Sequence, residues 1–291
     1  HIIVSSIEHA SVGKACEQLK ELGFEITYIP VDELGRVSAS DIIAAVRDET
    51  ILVTVMHVNN EVGSIQPIKE IGEGLKDFPK VFFHVDAVQS VGKIPLSLKE
   101  NEIDLCTISG HKFHGLKGTG VLYIRDGIKL SALFSGGEQE RKMRSGTENV
   151  AGAVCLAKAL RISMEKTRNG EGQFVEIMTY IRSELEKIDG IVIHTPTEYS
   201  APHILNFSVP KIKSEVLVHA LEEKGVYVST TSACSSKNKA ISETVLMMTN
   251  SEELAISSIR ISLTYENSMD EAKQFIKVFK EVLKNLKEVM R

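Results

Sequence analysis

Lys112 and Asp86 are the two residues whose types and settings suggest covalent chemistry. Lys112 lies in Ser109-Gly110-His111-Lys112-Phe113-His114-Gly115-Leu116-Lys117-Gly118-Thr119-Gly120, just past the apolar run Leu105-Cys106-Thr107-Ile108. Asp86 closes another apolar run, Val81-Phe82-Phe83-His84-Val85. Short apolar runs that stop at small, turn-forming residues read as buried strands. Open α/β sheets bind ligands at the carboxyl ends of such strands, and a lysine kept partly dry loses its proton readily and forms an imine with an aldehyde. An acid that keeps a pyridine nitrogen protonated turns the ring of such an aldehyde into an electron sink. A lone lysine in a turn is ordinarily solvated, and a lone aspartate after a strand is ordinarily a helix cap. The signal is the pair, about one crossover unit apart, and it points to pyridoxal 5'-phosphate carried on Lys112.

Three further features carry possible chemistry. Cys234 sits in Ser229-Thr230-Thr231-Ser232-Ala233-Cys234-Ser235-Ser236-Lys237-Asn238-Lys239, a run too polar for a core, with lysines that favour a thiolate. A reactive thiol and an incidental loop cysteine both remain open there. The other cysteines, Cys16, Cys106 and Cys155, occupy apolar surroundings in sequence and are expected to be small buried hydrophobes. Arg260, between Ile259 and Ile261, points away from both if the segment is a strand. It is either part of a solvated face or a fork for a substrate carboxylate. The polar, glycine-bearing stretch 135–149 either grips an anion ahead of a helix or is a solvated connector.

The elements that must position these residues alternate. Ile2–Ser5 reads as a strand, followed by a helix with Val12, Ala15, Cys16 and Leu19 on one side and a stop at Gly23. A strand at 24–29, a helix at 39–46 capped by Ser38, and a strand at 51–56 running into His57-Val58-Asn59-Asn60-Glu61 come next. Pro67 starts another helix, and the strands ending at Asp86 and before Lys112 follow. Strand and helix in alternation predict an α/β fold with a mostly parallel, doubly wound sheet. A helix is expected at 150–166, with a boundary near Arg168-Asn169-Gly170. Beyond it, helices at 174–188, 215–224, 241–248 and 270–290 mix with strands at 191–194, 203–209, 226–229 and 258–263. That pattern predicts a large domain over 1–167 and a smaller C-terminal α+β domain over 168–291.

The 291 residues, 43% hydrophobic and 25% charged, are ordinary globular material. A net charge of −5 gives no electrostatic case for direct nucleic-acid binding. No apolar run reaches the length of a membrane span, so no membrane association is expected. Four cysteines without metal-ligand spacing suggest a reducing cytoplasm and no metal site. The chain opens on His1-Ile2-Ile3-Val4, a strand that belongs inside a sheet, so a preceding segment is expected to be missing.

Glu8-His9, His57-Val58-Asn59-Asn60-Glu61-Val62-Gly63, His84-Val85-Asp86-Ala87-Val88-Gln89-Ser90-Val91-Gly92-Lys93, Ser109-Gly110-His111-Lys112, Arg144-Ser145-Gly146-Thr147-Glu148-Asn149 and Ser232-Ala233-Cys234-Ser235-Ser236 fall in one order along the chain. Together they resemble the cysteine desulfurases of the NifS/IscS type, which are fold type I, class V pyridoxal phosphate enzymes. The resemblance implies the fold type I large domain and a set of roles. Lys112 is then the Schiff-base lysine, Asp86 the pyridine-nitrogen partner, His9 the ring-stacking histidine and Gln89 the partner of the ring's phenolic oxygen. Asn59 would lie near that oxygen and the substrate carboxylate, Arg260 would fork the carboxylate, and Ser109 and His111 would bind the phosphate. Thr147 would reach the phosphate of a neighbouring subunit, which implies a homodimer. The implied reaction takes sulfur from L-cysteine, releases L-alanine and leaves a persulfide on Cys234 for an acceptor, an iron-sulfur scaffold or a tRNA sulfurtransferase. The family's Gly-Ala-Thr-Glu phosphate turn has no counterpart here. Thr264 stands where glycine is usual and Glu243-Thr244-Val245-Leu246 where a histidine is common, which hints at a specialised acceptor such as a tRNA-thiolation partner. A class V aminotransferase, a selenocysteine lyase and a cofactor-free sulfur-carrying partner are the alternatives.

Overall fold

The computed structural model describes residues 1–169, 172–230 and 241–289. The first half runs β1 (Ile2–Ser5), α1 (Ala10–Glu21), β2 (Ile26–Ile29), α2 (Ala39–Ala44), β3 (Leu52–Met56), α3 (Ile68–Leu75), β4 (Phe82–Asp86) and β5 (Leu105–Ser109), then a 3-10 turn (Gly110–Phe113) and β6 (Gly120–Ile124). A second 3-10 turn (Glu140–Lys142) precedes α4 (Val150–Asn169) and α5 (Gln173–Glu186). The remainder is β7 (Val192–Ile193), β8 (Ile204–Ser208), α6 (Ser214–Glu222), β9 (Ser229–Thr230), α7 (Glu243–Thr249), α8 (Glu252–Ile256), β10 (Ser258–Ser262) and α9 (Met269–Val289).

The larger sheet has the order β2-β1-β3-β4-β5-β6 and is parallel apart from β6, which forms an antiparallel hairpin with β5. The α/β, mostly parallel architecture expected from the alternation is therefore observed. Its two faces differ because successive side chains point to opposite sides. Val53, Val55, Phe83, Val85 and Cys106 turn to one face and join Ile42, Ile71 and Leu75 of α2 and α3 in a core. On the other face the His84 imidazole bridges Thr54 Oγ1 at 2.7 Å and Thr107 Oγ1 at 2.8 Å, tying β3, β4 and β5 side to side. α3 packs closely because residue 72 is glycine. A Cβ there would come within 2.1 Å of the Asn101 carbonyl oxygen.

The smaller sheet, β7-β8-β10-β9, is antiparallel and packs on α5, α6 and α9. α9 buries Ala272, Phe275, Ile276, Phe279, Val282 and Leu283, a helical stripe. Phe279 meets Phe207 of β8 edge-on at 5.5 Å. The segment 62–65 joins the halves: Ile65 N–H donates to Tyr199 O at 2.6 Å, Ala201 N–H to Gly63 O at 2.8 Å, and the Thr195 hydroxyl to Val62 O at 2.8 Å.

Several expectations need correction. The strand anticipated at 226–229 is reduced to β9, and α8 was not foreseen. α4 continues to Asn169, three residues past the end expected at 166. Cys16 and Cys106 are buried, but Cys155 is exposed. Leu156 and Ser163 are α4 side chains that turn inward, Leu156 at 7% exposed, whereas Cys155, one residue round the helix from Leu156, faces outward. Among the described residues, no helix is long and apolar enough to cross a membrane.

Candidate functional site

The carboxyl ends of β1, β3, β4 and β5 lie side by side, and each delivers a polar side chain. β1 leads to Glu8 and to His9, which caps α1. His9 Nδ1 accepts from Ser11 N–H at 3.1 Å and lies 2.8 Å from the Ser11 hydroxyl, which fixes the ring. β4 ends in Asp86, whose Oδ1 accepts from Val88 N–H at 2.9 Å. The 3-10 turn after β5 holds half-buried Lys112. Asp86 is 7% exposed, and burial pushes its carboxyl up while the Val88 N–H and the charges of His9 and Lys112 pull it down. The structure thus brings His9, Asp86 and Lys112 into one electrostatic neighbourhood.

Glu8, beside them, was not singled out by sequence reasoning. Its Oε1 accepts from the Ser5 hydroxyl at 2.7 Å and from Met56 N–H at 2.6 Å, while Oε2 is buried without a hydrogen-bond partner. Burial pushes the carboxyl up to about 8, and the Asp86 charge adds to the rise. Glu8 is accordingly neutral at pH 7. At the end of β3, His57 N–H donates to Asp86 O at 2.9 Å, and burial lowers the His57 imidazole to about 4.

Asn59 departs from expectation. It is fully buried, its Oδ1 accepts from Glu61 N–H at 2.8 Å and Val62 N–H at 2.9 Å, and its Nδ2 donates to Ile7 O at 3.2 Å and Thr244 Oγ1 at 3.3 Å. An amide with two acceptor lone pairs and two donors has nothing left for a ligand. Asn59 pins the loop, and half-buried Asn60 is the neighbour whose carbonyl receives Arg260 Nη1 at 2.7 Å.

Arg260 lies on β10 between buried Ile259 and Ile261, opposite to both as the alternation predicted. Glu61 stands beside it, with its Oε2 accepting from the Ser242 hydroxyl. Burial pushes the Glu61 carboxyl up to about 7, against the pull of Ser242 and Arg260. Lys93, in the turn that leaves β4, feels the charges of both Lys112 and Arg260, and burial lowers its ammonium to about 8. Sequence reasoning passed over Lys93 and Glu61 as ordinary charged residues. The available signal was their position just beyond strand ends.

The remaining candidates are dispersed around this centre. Gln89 is half-buried in the turn after Asp86, with its backbone against the His203 ring. Ser109 ends β5, and His111 is exposed, its imidazole lowered by desolvation and by Lys112 and Lys117. Thr147 is exposed on the loop before α4. That loop is folded back on itself: Ser145 donates to Phe134 O at 3.1 Å, and Glu140, Arg141 and Lys142 take left-handed φ of 47°, 54° and 66°. Cys234 lies outside the described residues.

The donor set suits pyridoxal 5'-phosphate: an amine, a carboxyl group drawn toward its ionised form by His9 and Lys112, and a fixed imidazole, all at adjacent strand ends. A model of the class V aminotransferases matches residues 1–275. A putative cysteine desulfurase IscS 1 from Bacillus subtilis is 44% identical over 98% of this chain and 76% of its own length. A NifS/IcsS protein homolog from Lactobacillus delbrueckii subsp. bulgaricus is 43% identical over 99% of the chain and 76% of its own. Among solved structures, a NifS-like protein superposes with a TM-score of 0.90 at 38% identity, covering 97% of this chain and 74% of that one.

Proposed function

We infer, for a chain that belongs to the class V aminotransferase family and within it to the NifS/IscS-type cysteine desulfurases, how its own residues carry out that activity. The family is dependent on pyridoxal phosphate, acts on cysteine and passes sulfur to acceptors. The observation that carries our reading is the meeting of Lys112, Asp86 and His9.

Lys112 would hold the cofactor's aldehyde carbon, Asp86 its ring nitrogen, His9 one ring face, Gln89 its phenolic-oxygen side, and Ser109 and His111 its phosphate. When bound, the cofactor supplies an electron sink for the carbon that loses its proton. The Val88 N–H and the charges of His9 and Lys112 favour the Asp86 carboxylate at the nitrogen position, against the cost of its burial. With the cofactor bound, the Lys112 amine would remove the Cα proton of the substrate as a general base. Arg260 holds the substrate carboxylate as a fork, with Glu61 and the Asn60 carbonyl steadying the guanidinium. The Cys234 thiolate attacks the substrate sulfur, the carbon-sulfur bond breaks with its electron pair on carbon, and protonation there gives L-alanine. Sulfur stays on Cys234 as a persulfide and passes to a protein acceptor of iron-sulfur cluster assembly or tRNA thiolation.

The finer partner reading is a homodimer in which Thr147 reaches the other copy's phosphate site. Exposed apolar side chains flanking Thr147 support it, Leu133 at 86% and Val150 at 68%. A large domain to residue 167 and a small domain from 168 fit the two separate cores. The thiols of Cys16, Cys106 and Cys155, free among the described residues, support a cytoplasmic setting.

Intact-mass and peptide analysis of Cys234 after exposure to L-cysteine, with alanine measured alongside, tests the reading. We expect one added sulfur on Cys234 and stoichiometric alanine. Cys234→Ser should lose both products yet keep cofactor binding. Undiminished turnover by Cys234→Ser would overturn the account.

A further inference from the structure

We propose that Lys93 is a second cation for the carboxylate of the amino-acid substrate, acting beside Arg260. The inference rests on the reading above for the identity of the amino acid, and deepens it.

Lys93 is held in place by its neighbour. Gly92 has a φ of +73°, and a Cβ there would fall 2.3 Å from Ser163 Oγ. The Gly92 carbonyl accepts from the Ser163 hydroxyl at 3.0 Å and from the Thr167 hydroxyl, both on α4. Tyr265 OH in turn donates to Thr167 at 3.0 Å. The turn after β4 is therefore clamped against α4, and the Lys93 side chain leaves it into a cavity of about 480 Å³ that also borders Lys112.

The charges facing that side chain are nearly all positive. Lys112 and Arg260 act on it, and its own charge acts on the buried His203 ring. Around the cavity stand His111, His114, Lys158 and Lys166, and the one carboxylate there, Glu266, is paired with Lys166 at 3.4 Å. Among the described residues, Lys93 has no carboxylate at ion-pair distance. Asp86 faces Lys112, and Glu61 faces Arg260. A half-buried ammonium among cations is costly unless an anion joins it.

The substrate brings that anion. In an α-amino acid the amine and the carboxylate share one carbon. A molecule whose amine replaces that of Lys112 therefore presents its carboxylate within a few ångströms, beside the cavity that Lys93 and Lys112 line and within the field of Arg260, whose charge acts on Lys93. Arginine offers a planar fork and lysine a point charge, so the two complement each other on one carboxylate. The cofactor phosphate is the other anion of this size, and the test separates the two.

The full chain, loaded with pyridoxal phosphate, is titrated with L-alanine and with cysteamine, an amine that lacks the carboxylate, while the cofactor's absorbance is followed. For Lys93→Met we expect L-alanine affinity to fall about tenfold, for Lys93→Arg to stay within about threefold of the parent, and cysteamine affinity to be unchanged. Affinity of the stripped protein for pyridoxal phosphate should not change. Above pH 8 the parent should lose L-alanine affinity as the ammonium deprotonates, and Lys93→Met should lack that limb. Circular dichroism checks each variant's fold, and Lys93→Gln replaces the methionine variant if that one is unfolded. Equal L-alanine affinity in parent and Lys93→Met, an equal loss for cysteamine, or weakened cofactor binding would each overturn the proposal. If the parent binds L-alanine in this Lys93-dependent way yet forms no persulfide from L-cysteine, the desulfurase reading fails while this inference stands.

Discussion

Glu8 shows at the scale of one residue how burial sets charge. Its carboxyl ionises near 4.5 in the unfolded chain and is pushed up to about 8 by burial in the folded one. A group whose folded value is raised adds most stability below its unfolded value and loses it as pH rises through the folded value. Glu8→Gln keeps an acceptor for Ser5 and Met56 without the ionisation. Its stability, read from urea midpoints, should therefore gain on the parent's from pH 5 to pH 8, by roughly 3 to 4 kcal/mol at the upper end. Parallel curves over that range would contradict the assignment of a neutral Glu8. The same scale shows what a sequence can and cannot say. Lys112 and Asp86 were legible because each ends an apolar run, and Arg260 because alternation fixed its side. Asn59 and Asn60 were not separable, since adjacent identical amides differ only in which one the loop turns inward. Cys155 was misread because an alanine-rich helix does not reveal which side meets the sheet.

At the scale of elements, strand ends do the positioning, and the turns that leave them are held by specific locks. The turn after β4 is locked by Gly92 against Ser163 and Thr167, whereas α2 starts with an ordinary cap, Ser38 Oγ accepting from Asp41 N–H at 3.2 Å. These two locks should respond differently to mutation. Ser38→Ala should cost about 1 kcal/mol of stability and leave L-alanine affinity as it was. Gly92→Ala meets both a left-handed φ and the Ser163 hydroxyl, so it should cost about 2 kcal/mol or more and also weaken L-alanine binding by displacing Lys93. Thermal melts with amino-acid titrations check both, and a Gly92→Ala variant that melts and binds like the parent would remove the clamp from the account. The Ser38 cap and the α3 start at Pro67 were readable from local residue types alone. The β5–β6 hairpin and α8 were not, because strand direction and a five-residue helix are decided by packing rather than by local pattern.

The whole molecule is two sheets with separate cores, joined where the loop after β3 meets the smaller sheet. That junction puts Arg260, from the second half, against the Asn60 carbonyl of the first, so the carboxylate fork proposed for Arg260 would draw on both halves. The alternation of elements made the larger sheet legible, while the junction was hidden because it depends on backbone groups, such as the Val62 and Gly63 carbonyls, that carry no sequence signature. The central claim is that strand ends across one sheet converge on a single amine, Lys112, with a second lysine, Lys93, close by but differently employed. Borohydride reduction of the pyridoxal-phosphate-loaded chain, followed by digestion and peptide mass mapping, addresses it directly. The account predicts the pyridoxyl group on the peptide that contains Lys112, and its absence from the one that contains Lys93. A label on Lys93, or on no lysine of this chain, would contradict it.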